Sequence, residues 1–162
     1  MGPVSPPKGV LSTRLGADGS GGPLLCLPAG GARMPASHKT VEEQLHYVSM
    51  NGREVFKFAV KTMGEGALQA LAAAGLKKED IDFFIPHQAN IRIIESAAKR
   101  LGLSMDQVQV NVDQYGNTST ASIPLALYDA VKSGKIKEGD CLVLISFGAG
   151  LTWAAAVVRW GI

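Results

Sequence analysis

The sequence predicts an α/β domain in which helices pack on a mixed β-sheet. Apolar runs short enough to be strands alternate along the chain with stretches of helical periodicity, and the last two apolar runs are separated only by "GAG". Alternating strands and helices favour a layered α/β arrangement, whereas such a short connection favours an antiparallel hairpin. The sheet is therefore expected to contain both strand orientations.

The first 37 residues are rich in glycine and proline. They hold two short extended pieces, "VLSTRL" and "PLLCLP", joined by "GADGSGG". This pattern predicts a β-hairpin in a connecting tail, residues 1–37, followed by the main domain, residues 38–162. Because two short strands cannot form a core by themselves, we expect the tail to pair with something outside the chain.

The longest helical pattern covers residues 51–76 and closes near Gly75. Apolar residues recur in it at the helical period, which predicts one buried face. These positions are Val55, Ala59, Met63, Ala67, Ala70 and Leu71.

Alternating strands and helices make up the rest of the chain. "IDFFIP" (residues 81–86) predicts a strand, and a helix is expected over about residues 90–101. "VQVNV" (residues 108–112) predicts a second strand, and a polar turn then leads into the helix "IPLALYDAVKSGK". "CLVLISF" and "LTWAAAVVRW" are expected to complete the sheet as a hairpin.

The composition argues against several classes of function. Sixteen Lys and Arg against fourteen Asp and Glu give a net charge of +2, which is too balanced to indicate a nucleic-acid or membrane partner. No apolar run approaches the roughly 18 residues of a membrane span. The chain also lacks the GxGxxG and Walker sequences of nucleotide-binding domains. We therefore expect a cytoplasmic protein.

The two cysteines do not indicate a disulfide framework or a metal site. Cys26 and Cys141 are too few for the former and lack ligand spacing for the latter. We expect both to be small apolar residues in strands, and no bound metal.

Two polar side chains occupy equivalent places in consecutive strand, loop and helix units. His87 and Asn117 each follow an apolar strand and precede a helix, where open α/β sheets present side chains to ligands. An amide cannot act as a base and a neutral imidazole donates from one nitrogen, so the pair suits an oxyanion or enolate. The alternative is that His87 is a structural histidine and Asn117 a turn residue.

Two further features are ambiguous. In "SFGAGLTW", Gly148 and Gly150 would allow a backbone N–H to approach a carbonyl oxygen, although a plain hairpin turn explains them equally well. Basic residues also recur on the two predicted helices of residues 51–76 and 90–101. Such rows are ordinarily solvated faces, and they matter only if the partner is acidic or carries phosphate. They are Arg53, Lys57, Lys61, Arg92, Lys99 and Arg100.

Three motifs together resemble one family. "PHQANIRI", "YGNTSTASIPLAL" and "FGAGLTWAAAVVRW", in this order and at these separations, resemble the C-terminal half of β-ketoacyl-acyl-carrier-protein synthase III. "LGADGSGGPLLCLPAGG" and "NGREVFKFAV" resemble the same family upstream, so the resemblance runs from Gly9 to the end. It implies the C-terminal half of a thiolase-like fold. It also implies an acyltransferase of fatty acid biosynthesis, which condenses acyl-CoA, commonly acetyl-CoA, with malonyl-acyl carrier protein and releases carbon dioxide.

The resemblance also implies roles for individual residues. His87 and Asn117 fall on the family's catalytic histidine and asparagine, which stabilise the thioester enolate. The residues implied to bind the carrier protein are Gln88, Ala89, Asn90, Ile91, Arg92, Lys57, Lys99 and Arg100. The residues implied to line the substrate and CoA pocket are Asn90, Phe147, Gly148, Ala149 and Gly150. No cofactor is implied beyond the CoA and phosphopantetheine thioesters that serve as substrates.

The nucleophile is where this chain departs from the family. The family's cysteine lies at a helix N-terminus in its N-terminal half, where the helix dipole lowers the thiol pKa. Neither Cys26 nor Cys141 has that context. We therefore expect the chain to supply the His and Asn half and to be inactive alone in condensation. The alternative is a non-catalytic fragment or split subunit that binds acyl carrier protein or a complementary half.

The resemblance finally bears on assembly. The predicted helix of residues 51–76 would expose an apolar face in half a molecule, and such a patch favours partner binding. We expect a homodimer or larger assembly, or pairing of the tail with a complementary N-terminal half.

Overall fold

Four strands form the main sheet of the computed structural model, which describes residues 7–161. The strands are β1 (Gly9–Ala17), β2 (Leu25–Cys26), β3 (Ser49–Met50), β4 (Phe83–Pro86), β5 (Cys141–Gly148) and β6 (Thr152–Arg159). The main sheet has the order β1-β6-β5-β4, with β4 parallel to β5 and the other neighbours antiparallel. The predicted mixed sheet is confirmed.

Helices connect these strands at nearly the predicted places. The α-helices are α1 (His38–Glu42), α2 (Gly52–Ala73), α3 (Ile91–Leu101), α4 (Val112–Tyr115) and α5 (Ser122–Lys132). Asn51 caps the start of α2 and Asn90 caps the start of α3, each accepting a backbone N–H with its side-chain oxygen. The long helix predicted over residues 51–76 is therefore confirmed to within a few residues.

The core has two parts, one on each face of the sheet. α2 and α3 cover one face, and every apolar position predicted for the buried face of α2 is buried there. α5 covers part of the other face. β4 lies between them: Phe84 packs toward α2 and α3, whereas Phe83 and Ile85 pack toward α5. Burial on both faces explains why β4 is an unbroken apolar run.

The hairpin predicted in residues 1–37 is wrong. β1 pairs antiparallel with β6 along nearly its whole length, and β2 pairs with β3. The glycine-rich connection forms a 3-10 helix, Gly19–Leu24, capped by the Asp18 carboxylate. The chain after β1 therefore does not fold back to pair β2 with β1. Residues 1–6 of the predicted tail lie outside the described residues. The boundary at residue 37 and pairing with a preceding half stay predictions.

The strand predicted at residues 108–112 is also wrong. Only Val108 forms a bridge with β4, and the Gln109 N–H donates to the Phe84 carbonyl at 2.9 Å. Two residues later the Asn111 N–H donates to the side chain of Gln88 and not to a strand. Because a buried side chain takes over this backbone bond, the ladder ends and α4 begins.

The apolar face expected to be exposed on α2 is covered by the sheet and α3. The side chains of α2 that face solvent include Arg53, Lys57 and Lys61. Large apolar side chains are exposed elsewhere: on β1, on α5, and on or next to the two-stranded sheet of β2 and β3, called here the small sheet. They include Val10, Leu15, Leu27, Tyr47, Val48, Met50, Tyr128 and Val131. Within residues 7–161, no helix combines the length and apolar character needed to cross a membrane.

Candidate active site

A cleft of about 830 Å³ opens where β4 and β5 end. Apolar side chains form much of its wall, and a few polar side chains project among them. The polar ones are His87, Asn90, Asn117, Ser119, Thr120 and Ser146. No charged side chain of the described part of the chain lines it. An apolar cleft with a few convergent polar groups is typical of a small-molecule site.

His87 lies at the inner wall of this cleft with 7% of its surface exposed. Its backbone N–H donates to the Ile145 carbonyl at 2.8 Å, which continues the pairing of β4 with β5 beyond Pro86. The imidazole packs edge-on against Phe147, with 5.7 Å between ring centroids. Within residues 7–161, its buried Nδ1 has no hydrogen-bond partner. Burial lowers the pKa of His87 below its usual value, so the ring is neutral at neutral pH.

Asn117 lines the same cleft from the loop between α4 and α5. Its Oδ1 accepts the Ser119 N–H at 3.0 Å, which fixes the carboxamide within the turn. This use of the oxygen leaves Nδ2 as the group available to donate to a ligand. The structure therefore brings His87 and Asn117 to one cleft as expected, although Asn117 follows α4 and not the strand predicted before it. Their catalytic roles stay predictions.

The turn between β5 and β6 contributes part of the predicted substrate pocket. Phe147, Gly148 and Ala149 line the cleft, but Gly150 is not among the lining residues. Gly150 has φ +136, and a Cβ there would come within 2.7 Å of the Thr152 side chain. The turn itself therefore requires this glycine, and its assignment to the pocket stays a prediction.

Gln88 does not lie on the surface, although the resemblance implied that it binds the carrier protein. Only 1% of the residue is exposed. Its side-chain Nε2 donates to the carbonyls of Pro86 and Gln109, and its Oε1 accepts the Asn111 N–H. A side chain enclosed in this way cannot reach a protein partner, so Gln88 is removed from the docking set.

The other residues of the predicted docking segment are accessible to different degrees. Ala89 is half-buried and lines the cleft together with Asn90, whose Oδ1 accepts the Arg92 N–H at 2.9 Å. Ile91 and Arg92 are exposed at the start of α3. This segment therefore joins the cleft to the outer surface.

Basic side chains are exposed on the adjacent helices α2 and α3. The Arg92 guanidinium lies 5.3 Å from the ring centroid of Phe56, a cleft residue, so its charge is beside the opening. Lys57 pairs with Glu54 at 2.7 Å, and Arg100 pairs with Glu65 at 2.9 Å. The charges of Lys57 and Arg100 are thus partly balanced within the chain. Lys99 is also exposed on α3.

Both cysteines lie in strands, as expected. Cys141 is fully buried at the start of β5, and burial raises the pKa of its thiol. Cys26 is half-buried in β2. Neither lines the cleft or begins a helix. Among the residues that the structure describes, no group of three or more His, Cys, Asp or Glu side chains could hold a metal ion.

Sequence reasoning missed one wall of the cleft. Leu25 and Met50 reach it from the small sheet, Val48 reaches it from the residue before β3, and Phe56 reaches it from the first turns of α2. One sequence feature could have indicated Phe56: it adjoins Val55, so the apolar surface at the start of the helix is wider than the row that faces the core. No local pattern indicated the residues of the small sheet.

Comparison with known proteins gives consistent matches. Residues 71–160 match the family model described as 3-oxoacyl-[acyl-carrier-protein] synthase III C terminal. The β-ketoacyl-[acyl-carrier-protein] synthase III of Symbiobacterium thermophilum is 57% identical over 98% of this chain and 48% of its own length. The corresponding protein of Clostridioides difficile is 56% identical over 99% and 48%.

Solved structures agree with the sequence matches. The β-ketoacyl-[acyl-carrier-protein] synthase III of Thermus thermophilus superposes with a TM-score of 0.88 at 55% identity, over 99% of this chain and 49% of that one. The 3-oxoacyl-[acyl-carrier-protein] synthase III of Aquifex aeolicus gives a TM-score of 0.81 at 42% identity, over 96% and 46%. The chain spans about half the length of the curated relatives it matches. It has a thiolase-like fold and belongs to the 3-oxoacyl-[acyl-carrier-protein] synthase III family, whose C-terminal region it matches.

Proposed function

We propose that this chain supplies the hydrogen-bond donors for decarboxylative condensation of acyl-CoA, commonly acetyl-CoA, with malonyl-acyl carrier protein at the start of fatty acid synthesis. The observation that carries the proposal is that His87 and Asn117, from two separate loops, line one cleft. Membership of the family supports the reaction class. A cytoplasmic location is part of the proposal.

The chemistry needs donors more than it needs a base. When the malonyl thioester decarboxylates, the bond to its carboxylate breaks, carbon dioxide leaves, and the electron pair forms an enolate on the thioester oxygen. Two N–H groups aimed at that oxygen stabilise it without accepting a proton. A neutral imidazole and a carboxamide are suitable donors, and burial keeps His87 neutral. The enolate carbon then attacks the carbonyl carbon of the acyl thioester, and the thiolate that carried the acyl group leaves.

The surroundings of the pair fit thioester substrates. The apolar wall, including Phe147, would accommodate an acyl chain, and Ala89 and Asn90 would contact the pantetheine arm near the opening. Basic side chains on α2 and α3 would attract an acidic carrier protein. Those in the proposed docking set are Lys57, Arg92, Lys99 and Arg100. The CoA and phosphopantetheine groups act as substrates in this scheme, with no resident cofactor.

In this proposal, the chain does not supply the nucleophile. Burial and a raised pKa disfavour the thiolate of Cys141, and Cys26 lies in a strand outside the cleft. Without a reactive thiolate no covalent acyl-enzyme forms. The chain alone would therefore decarboxylate malonyl thioesters slowly but would not condense them.

This division can be assayed directly. The chain is incubated with acetyl-CoA and malonyl-acyl carrier protein, with and without the N-terminal half of the Symbiobacterium thermophilum relative, and carbon dioxide and acetoacetyl product are measured. We expect carbon dioxide alone from the chain, and both products from the mixture. Condensation by the chain alone would refute the division. Failure to release carbon dioxide in either reaction would refute the donor role.

A second candidate is a binding subunit without catalysis. Apolar side chains exposed on β1 and α5 favour contact with another polypeptide, either a second copy or a complementary half. Light scattering of the purified chain, alone and mixed with the complementary half, distinguishes these assemblies. A monomer in both samples would exclude them.

A further inference from the structure

Gln88 uses all the hydrogen-bonding groups of a fully buried side chain. Its Nε2 donates to the Pro86 carbonyl at 2.9 Å and to the Gln109 carbonyl at 3.0 Å. Its Oε1 accepts the Asn111 N–H at 2.9 Å. A carboxamide has two N–H donors and one oxygen, so each has a partner here. The residue next to His87 is therefore fixed in one orientation.

Gln88 also contacts both ends of the 111–122 segment, which contains α4 and the loop that carries Asn117. Its side chain accepts the N–H of Asn111 at the start of that segment. Its backbone N–H donates to the Oγ of Ser122, the first residue of α5, at 2.6 Å. Asn117 lies between these two attachment points, and Ser122 is only 1% exposed. One residue thus connects the loop that follows β4, where His87 lies, to both ends of the segment that carries Asn117.

A second link fixes the start of this segment to the middle of α5. The Asn111 Nδ2 donates to the Asp129 carboxylate at 2.8 Å. The network therefore extends from the end of β4, through Gln88 and Asn111, to α5. Burying so many polar groups is favourable only when each is satisfied, and directional bonds then hold one geometry where apolar contacts would allow several.

We propose that Gln88 is a positioning residue that fixes His87 and Asn117 relative to each other by binding both ends of the 111–122 segment. The geometric claim stands on the hydrogen bonds, whereas its catalytic consequence rests on the function proposed above. Oxygen stabilisation requires both donors at hydrogen-bond distance from one atom, and a displacement of about 1 Å costs about 100-fold in rate.

The charges around the network simplify the test. The charged groups that contact it are Asp129, bonded to Asn111, and Lys135, whose Nζ lies 3.4 Å from the Gln109 Oε1. Gln88→Met keeps the length of the side chain and leaves these charges unchanged. A change in the titration of His87 would then report a change in the burial of its ring.

The first experiment follows the His87 imidazole by NMR in the full chain, comparing Gln88→Met with Gln69→Met, a change at an exposed position of α2. We expect Gln88→Met to move the ring signals, which the edge-on Phe147 ring influences, and to raise the titration midpoint toward the ordinary pKa of about 6.5. Gln69→Met should leave both unchanged. A folded Gln88→Met protein with wild-type His87 signals and midpoint would overturn the proposal.

Ser122→Ala provides a smaller change that preserves the Gln88 side chain. It removes only the acceptor of the Gln88 backbone N–H, and alanine is well tolerated in a helix. We expect a shift of the His87 signals in the same direction but of smaller size. Unchanged signals would overturn the proposal, and this variant decides the question if Gln88→Met does not fold.

Kinetics separate the positioning role from the proposed function. Gln88→Met should lower kcat for malonyl-thioester decarboxylation by about 100-fold while changing KM little, because the cleft wall that binds substrate is intact. If the wild-type chain does not decarboxylate but its His87 signals still depend on Gln88, the proposed function fails and the positioning role stands. Wild-type kcat in Gln88→Met would overturn the positioning role.

Discussion

His87 owes its chemical state to burial, since no charged side chain among the described residues lines its cleft. Its backbone continues the β4 and β5 pairing, and Phe147 covers one edge of the ring. Asn117 is different, because it is exposed on a loop and its Oδ1 already accepts the Ser119 N–H of the same turn. At the scale of single residues, the candidate site thus combines one buried donor with one exposed donor.

Burial of His87 makes stability depend on pH. The folded-state pKa is lowered, so below about pH 6.5 the unfolded chain binds more protons than the folded one. The free energy of unfolding should therefore fall as the pH drops from about 6.5 toward the folded-state pKa. His87→Gln should remove this part of the dependence. Urea unfolding at pH 7.5 and pH 5.5 measures it, with His38 and His46 present in both proteins. Equal acid sensitivity of the two proteins would contradict the prediction.

Asn117→Asp should abolish donation at the second site. A carboxylate accepts hydrogen bonds and repels an enolate, so we expect decarboxylation to fall by about 100- to 1,000-fold. Stability should change little, because the side chain is exposed. Gln114→Glu places the same charge on an exposed residue near the same loop and serves as the control. Equal rates for the two variants would show that charge alone, and not the lost donor, is responsible.

Packing between β1 and β6 determines the edge of the sheet at the scale of elements. Gly16 lies opposite Trp153, and a Cβ on Gly16 would fall 2.1 Å from the indole. The indole also packs edge-on against Phe58 of α2. Glycine at this position thus lets β1, β6 and α2 approach one another.

Gly16→Ala should destabilise the fold by forcing the indole aside. We expect a loss of about 1–3 kcal/mol in the free energy of unfolding, with altered tryptophan fluorescence. Gly19→Ala is the matched control, because nothing lies within 4 Å of the added methyl group. A Gly16→Ala protein as stable as Gly19→Ala would contradict the packing of β1 on β6.

The sequence could predict elements whose apolar pattern is local. α2, α3, α5 and β4 to β6 have clear periods, and His87 was identified from its place between β4 and α3. Asn117 was identified from its place before α5, although the strand expected to precede it does not form. The partner of β1 is about 140 residues away, and no local pattern identifies it. The strand predicted at residues 108–112 does not form, because the Asn111 N–H donates to the Gln88 side chain and not to a neighbouring strand. The motif "PHQANIRI" also did not indicate that Gln88 is buried, because glutamine is ordinarily exposed.

The whole molecule presents two distinct surfaces. Arg92 lies beside the cleft opening and other basic side chains are exposed along α2 and α3, whereas exposed apolar side chains lie on β1 and α5. The first surface suits an acidic partner that delivers a thioester, whereas the second suits a permanent contact with another polypeptide. This separation would allow carrier protein and an assembled partner to bind together.

Charge reversal at Arg92 should weaken the proposed binding of carrier protein. Arg92→Glu places a negative charge beside the opening and loses the contact with Phe56, so we expect affinity to fall about tenfold, chiefly through a slower association rate at low salt. Lys137→Glu makes the same charge change at an exposed position outside the proposed docking set. Surface plasmon resonance at two salt concentrations measures both. If both variants weaken binding equally, the effect comes from net charge and not from the position of Arg92, which would contradict the prediction.

The central claim is that His87 and Asn117 donate to the same oxygen atom. A crystal structure of the chain bound to a malonyl-thioester analogue that cannot lose carbon dioxide tests it most directly. The account predicts the thioester oxygen at about 2.7–3.1 Å from both the imidazole nitrogen and the carboxamide nitrogen. An analogue bound in the cleft with its oxygen near only one of them, or near neither, would contradict it.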